Sequence, residues 1–173
     1  MERRLESKTV FEGRLFKVTL DKAELSNGVI VEREIVHHRG SVGIVPLTDD
    51  RKIVMVRQFR YPIGKELLEI PAGTLELGED PLHCARRELV EETGYTAEEF
   101  KPLGQVFLAP GYCTEMIHLF LARGLGRERQ LTDMDEEIKV ELVDIKDLAS
   151  KVLRGEIVDA KTICGIHLMK PLI

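Results

Sequence analysis

Short runs of apolar residues, separated by turn-forming residues, follow one another along most of the chain and predict a domain rich in β-strands. The segment from Gly13 to His38 reads LFKVTL and VIVEREIV around the turn Ser26-Asn27-Gly28. Asn-Gly between two such runs is a strong signal for a β-hairpin. Because an isolated hairpin is only marginally stable, we expect it to pack on its own core or on a second subunit.

The next two runs, SVGIVPL and KIVMVRQF, flank the turn from Thr48 to Arg51 and predict a second hairpin. They are rich in Val and Ile and almost free of charge, as expected of central strands. Further strands are predicted for LLEIPAG, FKPLGQVFLAP, EMIHLFLAR and IKVELVDI, and helices over 81–93, 145–154 and 159–169. Strands mixed with one internal and two C-terminal helices predict an α+β or three-layer α/β domain with a mixed sheet.

The composition fits one folded domain, with 173 residues of which 43% are hydrophobic and 32% charged. The net charge of -5 and the lack of a Lys/Arg-rich block argue against a nucleic-acid-binding surface. No apolar run is long enough for a membrane span, and the first residues do not resemble a signal peptide. Three cysteines, Cys84, Cys113 and Cys164, match no zinc spacing and indicate reduced thiols in a cytoplasmic protein.

The helix predicted over 81–93 has clear start and stop signals. Asp80 suits the N-cap, Pro81 the first helical position and Gly94 a left-handed C-terminal cap. At about 100° per residue, one stripe of the helix should face the core. That stripe consists of Leu82, Ala85, Leu89 and Thr93. The flank beside it carries three carboxylates, those of Glu88, Glu91 and Glu92.

Carboxylates crowded at the edge of a buried stripe would be expelled, protonated or neutralised by a cation. Oxygen ligands select hard divalent ions, so one interpretation of the cluster is a Mg²⁺ site, with Mn²⁺ as the alternative ion. The other interpretation is a solvated helix surface on which Arg87 and Glu91 form an ordinary i,i+4 ion pair. The spacing of the surrounding residues favours the metal site.

That spacing resembles the signature of the Nudix hydrolase family. The matching positions are Gly73, Glu79, Arg87, Glu88, Leu89, Glu91, Glu92, Gly94 and Tyr95. The resemblance extends from about Ser41 to Ile145 and implies a three-layer α/β/α sandwich with a mixed central sheet, in which this helix is the catalytic one. It also implies Mg²⁺-dependent hydrolysis of a nucleoside diphosphate linked to another group.

The same resemblance implies roles for individual residues. The metal ligands would be the carbonyl of Ala72 and the carboxylates of Glu88, Glu91 and Glu92. Glu91 would be either a third carboxylate ligand or a catalytic helper. Arg87 would orient the glutamates, and Glu79 would support the loop before the helix or a second metal ion.

Two downstream segments resemble the ADP-ribose pyrophosphatase branch of the family. FLAPGYCTEMIHLFLA places Pro110 where that branch has a Ser-Pro-Gly segment, although Ala109 replaces the usual Ser. The acidic stretch 132–138 resembles a loop that carries a catalytic glutamate, and this would be Glu136, acting as general base. Taken without the family, the two stretches would be read as a Pro-Gly turn and a solvated acidic loop.

Two upstream segments also resemble this branch. In VRQFRYPIGKELLEIPAG, Arg60 would contact the substrate phosphates, and Glu69 would lie near the metal or the terminal ribose. Residues 1–40 resemble a hairpin arm that is exchanged in a homodimer, with residues 41–173 as the hydrolase domain. The arm would contribute three residues to the adenine pocket of the partner: Phe16, Arg33 and Glu34. Core or surface roles are the alternative for each of them.

Together the resemblances imply hydrolysis of ADP-ribose to AMP and ribose 5-phosphate in a cytoplasmic homodimer that binds neither nucleic acid nor membranes. The metal ions would supply the positive charge that an acidic protein needs to bind an anionic nucleotide sugar. The enzymatic alternatives are hydrolysis of another nucleotide sugar, such as GDP-mannose, or of an oxidised nucleoside triphosphate. A non-catalytic ADP-ribose sensor is the alternative from a different class, and the complete signature favours an enzyme over it.

Overall fold

The chain consists of two units, each assembled from separate parts of the sequence. A computed structural model describes residues 1–128 and 138–173. The first unit comprises Met1–Gly40 and Phe107–Met116, and the second comprises Ser41–Val106 and Ile117–Ile173. The functional division into an arm and a hydrolase domain stays a prediction, and the structure groups residues 107–116 with the first unit.

An antiparallel sheet forms most of the first unit. Its strands are β1 (Arg3–Glu12), β2 (Phe16–Glu24) and β3 (Ile30–His38), in the order β1-β2-β3. The first predicted hairpin is confirmed as β2 and β3, and Gly28 takes the positive φ of 81° that its turn requires. β1 is not predicted from the sequence, because all ten of its residues are exposed and show no alternation of buried and exposed positions.

The described residues of the second unit form two sheets. Its strands are β4 (Ser41–Pro46), β5 (Lys52–Arg60), β6 (Lys65–Glu69), β7 (Ala72–Thr74), β8 (Tyr95–Phe107), β9 (Met116–Arg127) and β10 (Ile138–Asp144). One sheet has the order β7-β4-β9-β8 and is mixed, since β4 runs parallel to β9 and antiparallel to β7. The other sheet has the order β10-β5-β6 and is antiparallel.

The second predicted hairpin is wrong, because β4 and β5 share a tight turn but belong to different sheets. The Thr48 N–H donates to the Lys52 carbonyl at 2.9 Å, and a single bridge joins Leu47 to Ile53. Beyond this bridge the strands separate. All residues of β4 are buried, and β5 is also almost wholly buried over its first half, so each strand takes the middle of its own sheet.

Helices cover both sides of these sheets. They are α1 (Pro81–Thr93), α2 (Ile145–Leu153) and α3 (Ala160–Met169), and short 3₁₀ turns occupy Tyr61–Ile63 and Lys170–Leu172. One core joins α1 to the sheets and includes Val42, Ile44, Val54, Ala85 and Leu89. A second core joins α2 and α3 to them and includes Val45, Ile53, Met55, Leu148 and Ile166. These layers confirm the predicted α/β/α sandwich with a mixed sheet.

Among the residues that the structure describes, no helix combines the length and the apolar character that crossing a bilayer requires.

Candidate active site

The ends of α1 are fixed by the residues that the sequence analysis selects. The Asp80 carboxylate accepts hydrogen bonds from the backbone N–H groups of Leu82 and His83, at 3.0 and 3.2 Å. At the other end Gly94 has a φ of 67°, and its N–H donates to the Val90 carbonyl. Because both caps are in place, the helix has the predicted bounds, and the register of its side chains follows.

The predicted apolar stripe of α1 faces the core, with Leu82 partly buried against it. Ala85, Leu89 and Thr93 are buried. Glu92, on the flank, is only 5% exposed, whereas Glu88 and Glu91 are partly exposed. A buried carboxylate needs hydrogen bonds or a cation to offset its lost hydration.

Strand β7 supplies part of what these carboxylates need. The Ala72 N–H donates to the Glu92 carboxylate at 2.9 Å. A Cβ built on Gly73 would lie 1.9 Å from the carboxyl carbon of Glu88. The glycine is therefore required for contact between α1 and β7: only hydrogen leaves room for the Glu88 carboxylate against the strand.

Arg87 connects the carboxylates of the signature to one another. It binds Glu79 through Nε and Nη2 at 3.1 and 3.0 Å. Its Nη1 donates to Glu88 at 2.7 Å and to Glu91 at 3.0 Å. The hydrogen bonds from Arg87 lower the pKa of Glu79 to about 2, and the bonds to Glu79 in turn raise the pKa of Arg87. The fork of the guanidinium thereby fixes three carboxylates in place.

The acidic residues around Arg87 have the chemistry of a metal-binding site. Across residues 1–128 and 138–173, no three Asp, Glu, His or Cys side chains form a ready-made metal site. Glu88 and Glu91 instead share Arg87. The donors nevertheless fit a hard divalent cation, because Glu88, Glu91 and Glu92 bring three carboxylates to one flank of α1, and the single guanidinium of Arg87 is shared between two of them. Oxygen atoms of this kind are the usual ligands of Mg²⁺ and Mn²⁺.

Arg60 and Glu69, predicted to contact substrate separately, bind each other. Arg60 donates to both carboxylate oxygens of Glu69 at 2.8 Å. Lys161 of α3 also donates to Glu69, which is 1% exposed. Burial pushes the pKa of Glu69 upward, but the hydrogen bonds from Arg60 and the charge of Lys161 outweigh it and lower the pKa below its ordinary value.

Gln58 lies two residues before Arg60 on β5, and sequence reasoning did not single it out. Its side chain is buried, and within the described residues its Oε1 has no hydrogen-bond partner. Strand alternation places Gln58 on the same face as Arg60. A buried acceptor without a partner is unfavourable in the free protein, and a bound ligand or water would satisfy it.

The remaining predicted substrate residues belong to the first unit. Arg33 pairs with Glu2 at 2.9 Å, and Phe16 stacks at a tilt on Phe11. Glu34 lines an apolar cavity of about 410 Å³ together with Val10, Val18, Thr19, Leu20, Val36 and Tyr112. Pro110 lies in a turn in which the Tyr112 N–H donates to the Ala109 carbonyl. Glu136 lies outside the described residues.

A model of the NUDIX domain matches residues 37–164, which include all of β4 to β10 and α1. The chain belongs to the Nudix family. In this Nudix protein the signature starts at Gly73 in β7, includes α1 and ends at Tyr95, the first residue of β8.

Relatives of this Nudix protein cover nearly its whole length. It is 40% identical over 171 residues to a methanol dehydrogenase activator of Bacillus methanolicus, covering 98% of this chain and 92% of the relative. It is 39% identical over 171 residues to an ADP-ribose pyrophosphatase of Bacillus subtilis (strain 168), with the same coverage. A crystal structure of an ADP compounds hydrolase matches with a TM-score of 0.86 and 26% identity, over 99% of this chain and 93% of that one.

Lys161 is a charged residue beside Glu69 that sequence reasoning missed. It is 8% exposed and binds Glu69, which precedes it by 92 positions. The helix over 159–169 was predictable, but nothing in the linear pattern links its first turn to β6. Only the packing of α3 against the sheets brings the two charges together.

Proposed function

We propose that this Nudix hydrolase cleaves the diphosphate of ADP-ribose, with Mg²⁺, to give AMP and ribose 5-phosphate. The observation that carries the proposal is the contact of α1 with β7, where Gly73 leaves room for the Glu88 carboxylate. This contact brings the acidic flank of the signature helix against the backbone of β7, where the Ala72 N–H donates to Glu92, and it supports a metal site made of carboxylates and a backbone carbonyl. The similarity to the Bacillus subtilis ADP-ribose pyrophosphatase and to the ADP compounds hydrolase supports the choice of an ADP compound.

Four groups would hold the metal: the carbonyl of Ala72 and the carboxylates of Glu88, Glu91 and Glu92. When bound there, Mg²⁺ or Mn²⁺ neutralises the diphosphate and makes a coordinated water more acidic. The remaining tasks belong to the protein. They are to fix the ligands, to orient the phosphates and to accept a proton.

Arg87 and the Ala72 N–H fix the ligands. Arg87 holds Glu88 and Glu91, and Ala72 holds Glu92. Each carboxylate thus has one oriented oxygen before substrate arrives, which reduces the reorganisation needed for catalysis. Glu79 does not reach the substrate in this scheme; it anchors Arg87.

Arg60 would bind the phosphates, and Glu136 would take the proton from the attacking water. Arg60 has a side chain that is 37% exposed and therefore accessible to an anion, and a guanidinium can bind two phosphate oxygens at once. Glu136 is assigned by its position in the sequence relative to β10 (Ile138–Asp144). A carboxylate of ordinary basicity serves as a general base when it lies within hydrogen-bonding reach of the water.

The first unit would recognise the adenosine part in a cytoplasmic homodimer. Its sheet and the turns between its strands expose several large apolar side chains: Leu5, Val10, Phe11, Leu15, Phe16, Val29 and Ile30. Apolar surface of this extent favours association with another protein surface. Phe16, Arg33 and Glu34 would line the adenine pocket of the partner, and Pro110 would shape the loop beside it. A sizing column tests the dimer.

A nucleotide panel tests the proposed substrate. ADP-ribose, GDP-mannose and an oxidised nucleoside triphosphate would each be incubated with the protein and Mg²⁺, and the nucleoside monophosphate formed from each, such as AMP from ADP-ribose and GMP from GDP-mannose, would be quantified. The proposal requires turnover of ADP-ribose to AMP at the highest kcat/KM of the three. Preferential cleavage of GDP-mannose would make the protein a different nucleotide-sugar hydrolase, and tight binding of ADP-ribose without cleavage would make it a sensor.

A further inference from the structure

Glu69 is a buried carboxylate held by two cations of different character. Its side chain is 1% exposed, whereas the side chains of Arg60 and Lys161 are 37% and 11% exposed. An unpaired charge at such a depth is strongly unfavourable, so at least one cation has to remain with Glu69. The other cation can then leave Glu69 for another anion.

Lys161 is anchored more firmly than Arg60. It also contacts Asp159 at 3.1 Å, and Asp159 caps α3 by accepting from the Thr162 N–H at 2.9 Å. The Thr162 hydroxyl accepts in turn from the N–H of Ile70, the residue next to Glu69. The first turn of α3 is thus bound to the backbone beside Glu69, and this fixes the position of Lys161.

Arg60 is the exchangeable partner. It lies at the end of β5, and its guanidinium is the most exposed of the three charged groups. Its hydrogen bonds to Glu69 and the charges of Glu69, Glu92 and Asp159 raise the pKa of Arg60. A bound phosphate offers the same two-oxygen geometry as the Glu69 carboxylate. Arg60 can therefore change from one anion to the other at little cost, provided that Glu69 remains neutralised.

We propose that Lys161 is a positioning residue that keeps Glu69 neutralised while Arg60 turns to bind the diphosphate of the substrate. The inference rests on the proposed function, because it takes the substrate of Arg60 to be a diphosphate. With Lys161 present, Glu69 still has an ion pair with Lys161 after Arg60 has left it. Without Lys161, departure of Arg60 would leave a buried carboxylate with no cation, so the arginine would stay bound to Glu69.

Binding of inorganic pyrophosphate, in the presence of Mg²⁺, tests this inference independently of turnover. Isothermal titration calorimetry on the full chain would compare the wild type with Lys161→Met, and with Arg60→Ala as the reference for loss of the phosphate contact. Lys161→Met should weaken binding about 10- to 100-fold, the usual range of coupling between sites. Lys161→Arg, which keeps the charge, should retain most of the affinity.

A double mutant distinguishes positioning from a merely structural role. In a Glu69→Gln background there is no carboxylate to retain Arg60, so adding Lys161→Met should leave pyrophosphate binding unchanged. Equal weakening in both backgrounds would overturn the proposal, as would wild-type affinity in Lys161→Met. If Lys161→Met does not fold, Lys161→Gln replaces it, because its amide can still donate to Glu69 without carrying charge.

The matched control is Lys151→Met. Lys151 lies on α2 and forms an ion pair with Glu156 at 2.8 Å. The substitution changes the net charge equally and should leave pyrophosphate binding unchanged. Turnover of ADP-ribose by the wild type is measured separately. Absence of that turnover would refute the proposed substrate, while the pyrophosphate comparison would still decide the role of Lys161. With turnover present, Lys161→Met should raise KM far more than it lowers kcat.

Discussion

The Glu88 carboxylate lies against the Cα of Gly73, in the space that any side chain at position 73 would occupy. This contact joins α1 to β7 beside the carboxylates proposed to bind metal. It also explains physically why the first position of the Nudix signature is a glycine. Its φ is not in the left-handed region, so the requirement is for space and not for an unusual backbone conformation.

Gly73→Ala should therefore displace Glu88 and lower kcat/KM by about a hundredfold or more, since a shift of about 1 Å in a catalytic group has effects of that size. It should also lower the free energy of unfolding by about 1–3 kcal/mol through overpacking. Thermal unfolding and steady-state kinetics measure both effects.

The control for this prediction is the Glu88→Ala background, in which the added methyl group meets no carboxylate. There Gly73→Ala should cost little further stability. An equally large loss of stability in both backgrounds would mean that the methyl group clashes with something other than Glu88.

Glu92→Gln should abolish most turnover and leave the fold intact. Glutamine keeps an oxygen that can accept from the Ala72 N–H, so the contact at 2.9 Å survives. It removes one negative charge from the ligand set, and kcat with Mg²⁺ should fall at least about a hundredfold, as when a group that stabilises transition-state charge is lost. Near-normal activity in a variant of unchanged melting temperature would refute Glu92 as a ligand.

Glu136→Gln should lower kcat while the Mg²⁺ concentration needed for half-maximal rate stays the same. A general base contributes about 10²- to 10⁴-fold to rate, and its loss does not alter the affinity for metal. Rates measured across a Mg²⁺ titration provide both values. A large rise in the Mg²⁺ requirement would instead make Glu136 a metal ligand.

The ion pair of Glu79 with Arg87 should make stability depend on pH in acid. The pKa of Glu79 is lowered from 4.5 to about 2 in the folded chain. The stabilisation is fully present above pH 4.5 and is lost as pH falls towards 2, because the unfolded chain then binds the proton first. This group should account for about 1 kcal/mol or more of the acid-induced loss of unfolding free energy.

Denaturant unfolding at several pH values between 5 and 2 measures this dependence, with Glu79→Gln as the comparison. The variant should be less stable than the wild type at pH 5, and the difference should shrink as pH falls. A difference that stays constant over this range would show that Glu79 does not titrate with the shifted pKa.

The parts of the fold that local chemistry determines were predictable from sequence. The bounds of α1 follow from Asp80 and Gly94, whose capping roles depend only on their neighbours in the chain. The β2–β3 hairpin likewise follows from a two-residue turn signal. The acidic flank of α1 followed from helical periodicity alone, and the burial of Glu92 agrees with it.

The parts that depend on distant packing were not predictable. The turn after β4 looks like a hairpin turn, yet only tertiary structure separates β4 from β5. The resemblance to the family implies a substrate contact for Arg60 and for Glu69 and says nothing of the ion pair between them. Lys161 cannot be linked to Glu69 from the sequence, because the two residues lie in different elements. Charge pairs between elements leave no periodic trace in a sequence.

The separation of β4 from β5 also bears on synthesis of the protein on the ribosome. β4 pairs in parallel with β9, so Ser41 cannot form its pair until Ile117 has left the ribosome. Likewise, β5 cannot pair with β10 until β10 has been synthesised. Until then β4 and β5, two of the most apolar segments of the nascent chain, each lack a neighbouring strand, and their exposed apolar side chains attract other hydrophobic surfaces. A chain stalled before β9 should therefore bind ribosome-associated chaperones more strongly than the finished protein does.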